Sequence, residues 1–173
     1  SSLAELLENY VPTCLPAFEQ PQIEYRLPPA LRVLERHVRR RFVETHELLG
    51  RGKVLKAFVA GDDAYIDRIV HRRLRAIDHE LSHQGKSIYF DISKFFSRGL
   101  HGGFARTLES IDLVRLVRDP VRNMRSFLNR NKCFALDNNV PDAAVNELRV
   151  LSSDFETGEF YLWAWCEMYL RFE

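Results

Sequence analysis

The segment LVRLVRDPVRNMRSF, residues 113–127, holds a spacing of groups that could bind an anion. Its opening apolar run, Leu113–Val117, reads as a buried strand that delivers Arg118 to its carboxyl end, where open α/β sheets bind ligands. Asp119 and Pro120 read as the N-cap and first position of a helix, whose N-terminus favours negative charge. Ser126 lies about two turns into that helix. Its hydroxyl can donate to a phosphate that the Arg118 guanidinium grips with two N–H groups. The plainer alternative pairs Arg118 with a carboxylate and leaves Ser126 an ordinary helix serine.

Two further motifs fail on geometry. His79-Glu80-Leu81-Ser82-His83 satisfies H-E-x-x-H, in which two histidines one turn apart hold Zn²⁺ and a glutamate activates its water. On a helical wheel, however, His79 falls about 180° and His83 about 140° from the centre of the apolar stripe formed by Val70, Leu74, Ile77 and Leu81. Both then face away from the core, Gly85 follows at once, and Lys86 stands where the extended motif needs glycine. No metal is expected. Gly85-Lys86-Ser87 imitates the end of a Walker A loop, but Glu80 occupies the position of its first glycine. The tripeptide also leads from a helix into a strand, the reverse of what phosphate cradling requires.

The elements that must position these groups follow from periodicity and capping. Ser2 with Glu5 forms a capping box for an opening helix. Pro28-Pro29 starts a helix whose stripe is Leu31, Leu34, Val38 and Phe42. Residues 50–61 are ambiguous between strand and short helix. Asp62 or Asp63 caps a long helix with Ile66, Ile69, Val70, Leu74, Ile77 and Leu81 on one face, and Gly85 ends it. Residues 87–92 form a short strand, and Phe95–Leu108 a helix interrupted near Gly99 and Gly102-Gly103. Phe160–Glu173 is an aromatic-rich helix. Strand, helix, strand, helix in that order implies an α/β fold with parallel strands and right-handed crossovers.

Composition sets the outer bounds. The 173 residues are 46% hydrophobic and 12% aromatic, enough for one packed domain and too much for a disordered chain. No window approaches 18 uninterrupted apolar residues, so no transmembrane segment is expected. Lys+Arg 25 against Asp+Glu 24 argues against a dedicated nucleic-acid binder. The balance is uneven, though: residues 26–75 carry thirteen basic and six acidic side chains, residues 137–173 two and eight. A basic middle suits an anionic small ligand. Cys14, Cys133 and Cys166 are too far apart and odd in number for a disulfide framework, and lean towards a reducing, cytoplasmic compartment. A secretory or Golgi origin stays open.

The 113–127 segment resembles the 3′-phosphate-binding segment of the sulfotransferases that use 3′-phosphoadenosine 5′-phosphosulfate (PAPS), in which an Arg at a strand end is followed eight residues later by a Ser. Arg118 and Ser126 keep that spacing. The resemblance implies a three-layer α/β domain with a parallel sheet, and a sulfuryl transfer to the hydroxyl of a carbohydrate, peptide or small metabolite. It implies that Ser1 and Ser2 stand where the family's 5′-phosphosulfate loop opens the first helix, with the loop's strand and glycine turn upstream. Residues 1–173 are then a single sulfotransferase-like domain, expected to be the central portion of something longer. In the tyrosylprotein branch a glutamate after that helix is the base, and Glu19 lies at a similar distance. A lysine at a strand end stabilises the transferring group there, and Lys94 matches it. Glu19 as a loop carboxylate and Lys94 as a helix-start lysine are the plain alternatives. A P-loop-type kinase or nucleotide-binding domain, and a non-catalytic binding module, are the competing readings of the whole.

Overall fold

The computed structural model describes residues 2–18, 27–42, 53–93, 96–129, 140–151 and 155–173. Among them are a two-stranded parallel sheet and seven α-helices, a mixed helix and strand content consistent with an α/β protein. Strand β1 (Cys14–Phe18) pairs with β2 (Ile88–Ile92), Cys14 opposite Ile88 and Phe18 opposite Ile92. Parallel strands need a long crossover. Here α2 (Arg32–Phe42), α3 (Lys53–Val59) and α4 (Asp63–Gln84) lie in the connection. β1 was not foreseen: it is five residues long, contains Pro16 and shows no alternation.

α4 forms as its sequence dictates. The Asp62 side chain accepts from the Tyr65 backbone N–H at 3.0 Å, and Gly85, at φ +62°, closes the helix in the left-handed region. Its buried stripe of Ile66, Ile69 and Val70 packs on Val54 and Ala57 of α3 and on Leu100 and Phe104 of α5 (Leu100–Thr107). Close approach of α4 and α5 depends on Gly103, where a Cβ would stand 2.7 Å from Ile66 Cγ2 and 2.8 Å from Val70 Cγ2. A second cluster gathers Phe160, Trp163 and Ala164 of α7 (Thr157–Leu170) with Val150, Phe155 and Met168. α7 opens with Glu156 and Glu159 as a reciprocal capping box, and its Trp163 indole donates to the Leu148 carbonyl at 2.8 Å. α1 spans Ser2–Tyr10, and α6 spans Pro120–Leu128.

Several sequence expectations change. Residues 53–59 resolve to helix. The predicted break at Gly102-Gly103 is absent; the interruption lies at Gly99, between a 3-10 turn (Phe96–Arg98) and α5. Most consequential, Leu113–Val117 is not a strand among the described residues. It runs as irregular chain with Leu113, Val114, Leu116 and Val117 exposed at 48%, 63%, 70% and 57%. A strand forms only where a neighbour takes its backbone N–H and C=O groups, and no described strand lies beside this run. What holds it is Arg115, whose guanidinium lies 3.9 Å from the Tyr169 ring centroid and 3.7 Å from Glu173 Oε1. The α2 stripe also differs: Leu31, Leu34 and Val38 are all exposed.

Candidate anion site at the start of α6

The 118–126 segment forms the helix start its sequence encodes. Asp119 Oδ1 accepts from the Arg122 backbone N–H at 2.7 Å, and Pro120 takes the first helical position, where a missing N–H costs nothing. The carboxylate occupies one amide of the helix terminus, so Arg118 just outside it supplies the cationic group for any further anion. Arg122 and Ser126 are four residues apart and share one face of α6. Arg118, Arg122, Arg125 and Ser126 are all exposed. The opposite face is anchored on α7: Phe127 and Tyr161 rings meet at 5.3 Å, and Met124 Sδ stands 3.4 Å from where a Cβ on Gly158 would be. α6 is thus fixed by its apolar side and presents a basic, hydroxyl-bearing side outward.

Of the residues singled out beforehand, Arg118 lies just before α6 and Ser126 two turns into it, both exposed. Arg118 is carried there by an exposed chain rather than by the buried strand expected. Ser2 opens α1. Ser1, Glu19 and Lys94 lie outside the described residues. β1 ends at Phe18 and β2 at Ile92, side by side in register. Cys14 is buried and Cys166 half-buried, both as free thiols, and Cys133 lies outside the described residues.

Two features near these elements escaped the sequence reading. Arg122 adds a second cation beside Arg118, on the α6 face that carries Ser126. Arg73, on the inward side of α4, is buried and forms an ion pair with Asp91 of β2. Burial pushes the Asp91 carboxyl upward, and Arg73 beside it pulls back down. Burial likewise raises the neighbouring Tyr89 phenol, with Asp91 adding to the effect. The available signal was an arginine on the apolar stripe of a helix facing a strand with one carboxylate.

No family model, curated protein or solved structure matches this chain. The site is therefore read from its own residues. His79 and His83 are exposed, their rings stacked 6.4 Å apart on the outward side of α4 as the wheel placed them. Among the described residues no group of three or more His, Cys, Asp or Glu side chains could hold a metal, and no helix is long and apolar enough to cross a membrane.

Proposed function

We propose that the chain is a PAPS-dependent sulfotransferase domain acting on a hydroxyl of a carbohydrate, peptide or small metabolite. The observation that carries this reading is the capped start of α6, with Arg118 exposed before it and Arg122 and Ser126 one and two turns along its outward face. A terminal phosphate fits that set: Arg118 and Arg122 supply charge-assisted donors, and Ser126 a hydroxyl.

In this reading the acceptor oxygen attacks the PAPS sulfur and the bond from sulfur to the bridging phosphate oxygen breaks. The acceptor proton passes to Glu19, and Lys94 stabilises the negative charge that develops on the leaving oxygen. Ser1 and Ser2 belong to the 5′-phosphosulfate end of the donor. The products are a sulfate ester and 3′-phosphoadenosine 5′-phosphate. Such transfers are governed by positioning and charge stabilisation, which is what cations at a fixed helix start supply. The domain then belongs to a three-layer α/β fold with a parallel sheet.

Calorimetric titration of 3′-phosphoadenosine 5′-phosphate tests this. Binding is expected to weaken at least about tenfold in Arg118→Ala, the loss of a charged hydrogen-bond partner, and less in Ser126→Ala. ATP at equal concentration is expected not to compete. Unchanged affinity in Arg118→Ala overturns the reading, and effective competition by ATP moves it to a kinase-like nucleotide site.

A further inference from the structure

α4 turns one arginine inward, Arg73, and three outward. Arg68, Arg72 and Arg75 are all exposed, at spacings of three, four and seven residues that keep them on one face, with exposed Asp78 at its edge. At 1.5 Å per residue the three span about 10 Å along the helix. Arg73, Arg106, Arg115 and Arg171 each meet a carboxylate. Arg68, Arg72 and Arg75 meet none among the described residues. Like charges one turn apart, such as Arg68 and Arg72, work against the helix that carries them, so the stripe is not there for helix stability.

We propose that this face of α4 binds a linear acidic polysaccharide, independently of the α6 site. Its three guanidinium groups, Arg68, Arg72 and Arg75, form a single row, matching a chain that presents anionic groups at successive sugars. The face offers no large apolar side chain to enter a bilayer. Nor does it offer an open aromatic platform for unstacked bases: the nearby Tyr65 ring is half-buried and covered by Arg68, whose guanidinium carbon lies 5.0 Å from its centroid.

The test is the affinity of the purified protein for a heparin dodecasaccharide, beside a single-stranded oligonucleotide of equal charge and vesicles containing phosphatidylserine. The oligosaccharide is expected to bind tightest, with affinity falling steeply as salt rises. The triple variant Arg68→Gln, Arg72→Gln, Arg75→Gln, which keeps good helix formers, is expected to lose at least about tenfold. A charge-matched control on α2, with Arg36, Arg39 and Arg41 changed to Gln, is expected to stay within about twofold, since it leaves the α4 row intact. Undiminished binding by the α4 variant, an equal loss in the α2 control, or equal affinity for oligonucleotide or vesicles overturns the proposal.

Discussion

Glu167 of α7 and Arg171, which caps its C-terminus, form a buried ion pair one turn apart, Oε1 to Nε at 2.7 Å, with side chains only 1% and 6% exposed. Neither charge is left unsatisfied. The carboxylate also accepts from the Leu148 and Glu147 backbone N–H groups, at 2.7 and 3.2 Å. The guanidinium donates to the Ser97 carbonyl at 2.6 Å and to Asn146 Oδ1 at 3.0 Å, and lies 4.7 Å from the Phe58 ring centroid. One pair therefore ties α7 to the 146–148 segment, the 96–98 turn and α3.

Removing one charge from such a pair leaves the other desolvated and uncompensated. Glu167→Gln is nearly isosteric, so its effect isolates charge from packing. Urea unfolding is expected to show a loss of about 3–5 kcal/mol. A loss below about 1 kcal/mol, the range of exposed pairs, would mean that water reaches Arg171 and that the clasp does not hold these elements together.

The same logic, with a pH signature, applies to Arg73 and Asp91. Arg73→Leu leaves the Asp91 carboxyl buried without its cation, so the pKa that burial already raises moves further up. A carboxyl whose folded pKa lies above its unfolded value contributes stability at low pH and loses it as pH rises through the folded pKa. Relative to wild type, Arg73→Leu is expected to be destabilised by about 3–5 kcal/mol at pH 7 and by less at pH 4. Urea midpoints at the two pH values check it; an equal deficit at both would contradict the buried, proton-taking Asp91.

Local signals proved legible where local chemistry decides the outcome. The Asp62 and Asp119 caps, the Gly85 stop and the Ile66–Val70 stripe are each fixed within a few residues of sequence, and each is where the pattern put it. Leu113–Val117 and β1 depend instead on a partner strand far away in sequence. An apolar run cannot announce whether that partner exists, and the Pro16-containing β1 becomes a strand only because Ile88–Ile92 lies beside it. The candidate site divides the same way. Arg118, Asp119 and Ser126 were readable from one contiguous segment, whereas the Arg73 to Asp91 pair joins a helix and a strand eighteen residues apart and needed the fold.

Gly103 offers a sharp steric test of the α4–α5 contact. A methyl there meets Ile66 and Val70, which are 1% and 0% exposed and have nowhere to withdraw. Gly103→Ala would gain roughly 1 kcal/mol in helix propensity were the site open. Overpacking is expected to reverse that sign, with a net loss of about 1–3 kcal/mol in thermal or urea unfolding. A stabilised variant would show that the two helices stand further apart.

His101 supplies the acid limb of stability. Its ring lies 5.3 Å from Phe58 and 5.7 Å from Phe172, centroid to centroid. Burial, and after it the positive charge of Arg171, push its pKa from 6.5 down to about 4. The folded protein therefore keeps this imidazole neutral at pH values where the unfolded chain protonates it. Stability is fully present above 6.5, falls as pH drops towards 4, and levels off below, the whole window being worth about 3 kcal/mol. His101→Phe keeps an aromatic ring against Phe58 and Phe172 while removing the titrating group. Whatever its absolute stability, the variant is expected to lose less than wild type between pH 7 and pH 4.5. Urea unfolding across that range decides it: parallel slopes for the two proteins would show that His101 gains its proton as readily folded as unfolded.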